Sequence, residues 1–112
     1  MATLSAVEEN YLKYIKTSNN IPFGSYDSLP FVYHTDLENE LKIRRKSYWA
    51  IENLLKGRSN LNILEIGPWN CWLTPLLCKN NNKVTCLDYF TDETNGLQTK
   101  KFHSNANWLS IQ

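Results

Sequence analysis

At 112 residues and a net charge of +1, the chain is one small domain with no electrostatic case for nucleic acid or an anionic membrane. Its 42% apolar content with mixed charges excludes a disordered chain, and nothing approaches the ~18 consecutive apolar residues of a membrane span. Cys71, Cys78 and Cys86 match no zinc or redox spacing, and Cys78 and Cys86 read as reduced core fillers of a cytoplasmic protein.

Residues 1–10 are polar and acidic, unlike a signal or transit peptide. A first helix is expected over residues 5–16. Ser5 and Glu8 have capping-box spacing, and Val7, Tyr11, Leu12 and Ile15 recur at three and four. Residues 17–34 interleave Pro22, Gly24 and Pro30 with Phe23, Tyr26, Phe31 and Tyr33, which excludes a regular helix or central strand. Those aromatics either line a substrate mouth or pin a connector onto the domain, and pinning is the simpler expectation.

A long helix follows over residues 36–56. Thr35 and Glu38 form a second capping box, and Gly57 stands where a C-terminal cap belongs. Leu37, Leu41, Tyr48, Ile51 and Leu55 keep one apolar face. Arg44, Arg45 and Lys46, with acids nearby, read as a solvated surface rather than a phosphate site.

Next comes the stretch on which function turns. Ile63, Leu64 and Ile66 form the apolar run of a parallel strand covered on both faces. Gly67 lets the backbone turn towards a helix starting near Trp72, with Pro75 in its first turn. Free N–H groups at such a turn attract anionic ligand groups. Trp72, Leu73, Leu76 and Leu77 supply the helix stripe, residues 79–83 a polar turn, and residues 84–88 a second strand ending in Asp88. An acid about twenty residues beyond the glycine turn is where a nucleotide-binding β-α-β unit contacts ribose hydroxyls. A loop over residues 91–95, a weak helix over 96–102 and a third strand over 107–111 complete the chain.

Leu64-Glu65-Ile66-Gly67 with Asp88 resembles the first motifs of class I S-adenosylmethionine-dependent methyltransferases. Residues 65–73 are similar to the Gly-x-Gly-Asn-Gly-Trp-Leu loop of one branch, with Trp69 and Cys71 at two glycine positions. Arg44-Arg45-Lys46-Ser47-Tyr48 and Asn95-Gly96-Leu97 also resemble segments of that branch, so the likeness runs over residues 37–112. It implies an α/β, partial Rossmann-like three-layer fold, with parallel strands in the order 3-2-1 and two N-terminal helices. Residues 1–35 form the first helix and connector, and residues 36–112 a truncated Rossmann-like domain of a helix followed by β-α-β-α-β.

The resemblance implies S-adenosylmethionine as cofactor. Glu65 lies near its methionine end, Gly67 passes beneath it, Asp88 accepts from the ribose hydroxyls and Tyr89 packs on the adenine. A carboxylate suits two vicinal hydroxyls because it only accepts. Glycine at positions 69 and 71 would serve positive φ or close approach. Trp69 therefore either fills the cofactor's space or rotates outward to stack on adenine or a partner. A complete fold of this class has about seven strands, against three counted here. The rest is expected from a C-terminal half or a homodimer that buries the open sheet edge. No catalytic acid or base is assigned, the substrate is undefined, and no metal is expected. The competing expectation is a degenerate, non-catalytic interaction module. A dinucleotide oxidoreductase is disfavoured, because Trp69 and Trp72 occupy glycine positions of Gly-x-Gly-x-x-Gly.

Overall fold

The computed structural model describes residues 26–32, 38–93, 95–104 and 106–112. The helix expected over residues 5–16, the Thr35 cap, Phe23 and Tyr33 lie outside these residues. The described elements, in chain order, are a short 3-10 turn at Tyr26–Ser28, helix α1 at Glu38–Leu55 and strand β1 at Asn62–Ile66. Helix α2 at Thr74–Leu77, strand β2 at Lys83–Leu87, a 3-10 segment at Leu97–Phe102 and strand β3 at Leu109–Ile111 follow. No helix among the described residues is long and apolar enough to cross a membrane.

The three strands form one parallel sheet in the order β1-β2-β3. Its register decides which side chains meet the core. Ile63 pairs with Val84, and Glu65 with Cys86, so these four point to one face. Leu64 pairs with Thr85, which pairs with Leu109, while Ile66 pairs with Leu87 and Leu87 with Ile111. These six point to the other face.

The helices gather on the first face. Leu73, Leu76 and Leu77 of the α2 turn join Val84, Cys86, Cys71, Leu97 and Trp108 in one buried cluster, with Tyr48, Ile51, Leu55 and Ile63 packed against it. The helical period of α1 delivers these contacts, and its C-terminus closes where Gly57 takes φ +79°, a left-handed cap that glycine adopts freely. A second cluster, built from Tyr26, Leu29, Val32 and Leu41, meets Trp69, Trp72 and Phe102. Residues 26–32 of the connector are therefore pinned. Tyr26 packs 4.8 Å from Phe102, and Phe31 packs edge-on against Tyr48 at 5.0 Å.

The architecture corrects four expectations. Among the described residues β1 is covered on one face only: Leu64 is 59% and Ile66 73% exposed, because α1, α2 and the 3-10 segment all pack on the opposite side. The described residues thus make two layers rather than three. Arg45 is buried, not solvated. It lies one turn from Leu41 on the inward face, and its Nη1 donates to the Pro30 carbonyl at 3.1 Å. Arg44 sits beside the rings of Trp69 and Trp72, at 5.7 and 5.8 Å from their centroids, while Lys46 is exposed. Finally, α2 begins two residues later than expected and lasts one turn. Cys71, at φ +60°, cannot join a right-handed helix, and its N–H closes a turn on the Pro68 carbonyl instead.

Candidate functional site

The candidate site is the edge of the sheet where β1 and β2 end. Two loops meet there, residues 67–73 after β1 and residues 88–96 after β2. The Gly67 N–H donates to the Leu87 carbonyl at 2.8 Å, and the Asp88 N–H to the Ile111 carbonyl at 3.1 Å, so the sheet's pairing carries into both loops. Glu65, Gly67, Trp69, Asp88 and Tyr89 are all set on this edge or the last turn before it.

The first loop has an unusual backbone. Gly67, Trp69 and Cys71 take φ values of +67°, +56° and +60°, left-handed residues at every second position. Such a conformation costs a side-chain-bearing residue about 1–2 kcal/mol, so the surroundings must hold Trp69 and Cys71 there. They do. The Trp69 indole N–H donates to Asn95 Oδ1 at 2.6 Å and its ring packs on the second cluster, while Cys71 is wholly buried. The Trp69–Asn95 bond ties the two loops together. A Cβ placed on Gly67 would meet nothing within 4 Å, so the space beside this residue is open.

Glu65 faces inward. Its carboxylate accepts from the Thr74 hydroxyl at 2.5 Å and from the Cys86 thiol at 3.7 Å. Burial pushes its pKa above the usual carboxylate range, outweighing the two hydrogen bonds that pull it down. Contact with Cys71, burial and the Glu65 charge push the Cys86 thiol well up, so it is protonated at neutral pH. Glu65 therefore clamps the loop to α2 from below.

The charged form of Glu65 is the one this setting disfavours. Between its unfolded and its raised folded pKa, the native state binds more protons than the unfolded chain, so stability falls as pH rises through that window. Glu65→Gln keeps an acceptor for Thr74 and removes the titration. The variant is expected to match the native chain below the unfolded pKa and to gain on it as pH rises through that window, then to keep a constant lead above it, in urea unfolding. A difference that is constant with pH would overturn this account of Glu65.

Asp88 stands just past β2. Its Oδ1 accepts from the Phe90 N–H at 3.1 Å, a cap on the following loop, and the carboxylate has further lone pairs to offer. Tyr89 is 44% exposed, with its ring edge-on to Phe90 at 5.3 Å. Among the described residues, no cluster of His, Cys, Asp and Glu could hold a metal ion. A hollow of about 370 Å³ beside Trp49, Lys56 and Leu76 lies away from this edge, whereas an open groove of about 800 Å³ along Lys100, Trp108 and Leu109 reaches it at Thr91.

Three residues complete the site beyond those the sequence singled out. Thr74 anchors Glu65, and its place at the start of α2, nine residues on, was the available signal. Asn95 receives Trp69 and is itself shaped by its N–H bond to Asp92 Oδ2 at 3.0 Å. Asn70 is fully buried between the two left-handed residues, and neither of its amide atoms has a hydrogen-bond partner among the described residues. Its carbonyl accepts from His103 Nε2 at 2.9 Å, which fixes the imidazole tautomer with the proton on Nε2. Burial lowers the His103 pKa and keeps the ring neutral, outweighing that bond and the Asp27 charge.

No family model, curated protein or solved structure matches this chain.

Proposed function

We propose that this chain is the cofactor-binding half of an S-adenosylmethionine-dependent methyltransferase of class I, acting in the cytoplasm. The observation that carries the reading is the run of left-handed residues at 67, 69 and 71. The motif it resembles places glycines at these three positions, and here all three take positive φ although two of them bear side chains. Gly67 has open space beside it for a ligand, and Asp88 ends the neighbouring parallel strand with acceptor capacity to spare. Trp69 is drawn to Asn95 and the Arg44 side, with its ring packed on the Tyr26–Leu41 cluster.

In this reading Gly67 passes beneath the cofactor, Asp88 takes its ribose hydroxyls and Tyr89 offers the adenine a flat face. Glu65 acts beneath the loop, holding it in shape through Thr74. The cofactor supplies an electrophilic methyl group, and the chain's part is to bind and orient it. Further strands, from a C-terminal half or a second copy, join beside β1, which pairs with β2 alone among the described residues.

A second reading has its own observation. Glu65 is spent on Thr74 and Cys86, and Asp88 caps Phe90, so each acid already has a structural task. A non-catalytic interaction module would need nothing more of them. Calorimetric titration with S-adenosylhomocysteine separates the two. Saturable binding, weakened at least tenfold in Asp88→Ala, is expected if the chain holds the cofactor. Absence of binding by the folded chain and by a Trp69→Gly, Cys71→Gly double variant would favour the module.

A further inference from the structure

The face of the sheet turned away from the helices is apolar, and no described element covers it. Leu64, Ile66, Leu109 and Ile111 are 59%, 73%, 69% and 52% exposed, and the register sets them in two rows with Thr85 and Leu87 between. Continuous apolar surface of this kind marks a docking site in a soluble protein. We infer that the occupant is the chain's own N-terminal segment, residues 5–16, laid as an amphipathic helix across this face. The inference stands apart from the cofactor reading.

Four observations select that occupant. The first is size: the four exposed side chains offer roughly 500 Å², short of the about 800 Å² that each partner buries in a standard interface, so the face alone is too small for a second copy. The second is shape. Three strands spaced ~4.8 Å apart, two of five residues and one of three, present a strip about one helix wide, and a 12-residue helix is ~18 Å long. The third is pattern. Val7, Tyr11, Leu12 and Ile15 share one arc of a helix, four apolar side chains for four exposed ones. Glu8 lies in that arc, and the one charged residue in the outward rows of the strands is Lys83, at the start of β2.

The fourth is reach. Residues 17–25 span up to ~30 Å when extended, and crossing one helix layer and one sheet takes ~20 Å, so a segment leading into Tyr26 can pass from the connector side to the bare face. The outer surface of α1 also carries exposed apolar residues, Ile43, Trp49 and Leu54, but Trp49 stands about 120–140° round the helix from the other two and packs on Phe31, and Ile43 and Leu54 stand eleven residues apart, ~16 Å along the helix.

Cysteine pairing tests the proposal on the full chain. In a Cys78→Ser background, Leu12→Cys is combined in turn with Ile66→Cys, Leu109→Cys, Ile43→Cys or Leu54→Cys. Mild oxidation at low micromolar concentration is followed by non-reducing electrophoresis and peptide mass mapping. An intrachain bond to position 66 or 109, and not to 43 or 54, is expected. Bonding to α1, bonding only between chains, or bonding to none of the four overturns the proposal. A measurement without added cysteines stands beside it. Fluorescence of a hydrophobic-surface dye is expected to rise at least threefold in Leu12→Asp, with unchanged circular dichroism. No rise in that variant overturns the proposal.

Discussion

Trp108→Ala is expected to lower the unfolding free energy by about 3–5 kcal/mol, the range for removing a large buried aromatic side chain. Trp108 is 4% exposed and stands one residue before β3, its ring edge-on to His103 at 5.7 Å and beneath the Lys100 ammonium at 5.8 Å. Lys100 also donates to the Trp108 carbonyl. β3 has three residues, all exposed, so Trp108 is what fastens that strand to the core. A domain of this size has about 5–15 kcal/mol in all, so the loss is a large fraction of the total.

Urea unfolding measures the loss. Amide exchange locates it, because the Asp88 N–H is bonded to the Ile111 carbonyl and should lose protection before the β1–β2 ladder does. Trp108→Phe sharpens the argument. The indole Nε1 is buried with no hydrogen-bond partner among the described residues, a cost of about 1–3 kcal/mol that phenylalanine removes while keeping a ring. The Phe variant should therefore lose far less than the Ala variant. Equal losses would mean that the ring is not what holds β3.

How much of this arrangement could be read in advance depends on which physical signal each residue carries. The period of α1 and the β1-turn-β2 pattern are local. Apolar spacing, Gly57 and Gly67 define them without tertiary help. The exposure of Leu64 and Ile66 is not local, since a run such as Ile63-Leu64-Glu65-Ile66 fits a strand covered on one face or on both. Only the placement of every described helix on the Ile63–Glu65 side decides it. Arg45 was hidden by its charge, although its position one turn from Leu41 was a readable sign of inward orientation. The site was half legible. Glu65, Gly67 and Asp88 stood out as residue types, whereas the left-handed backbone of Trp69 and Cys71 runs against their local preference and persists through Asn95 and the core.

Gly96→Ala is expected to disturb the site more than Gly67→Ala, against the order that a glycine motif suggests. A Cβ on Gly96 would lie 2.5 Å from the Asp92 nitrogen and 2.6 Å from the carbonyl carbon and oxygen of Phe90, all backbone atoms that no rotamer change can move. The methyl group must push the 88–96 loop outward, and overpacking of this kind costs about 3 kcal/mol or more. The shift would strain the Leu97 N–H bond to the Phe90 carbonyl and the Gly96 N–H bond to the Asp92 carbonyl. It would also move Asn95 away from the Trp69 indole. At Gly67 nothing stands within 4 Å, and the substitution costs only the left-handed backbone, about 1–2 kcal/mol. Urea titration of both variants should rank Gly96→Ala as the less stable, and tryptophan fluorescence should report the altered Trp69 environment in that variant alone. If Gly67→Ala proved the more damaging, a rigid contact beside Gly67, rather than the packing of the 88–96 loop, would be what sets the shape of this edge.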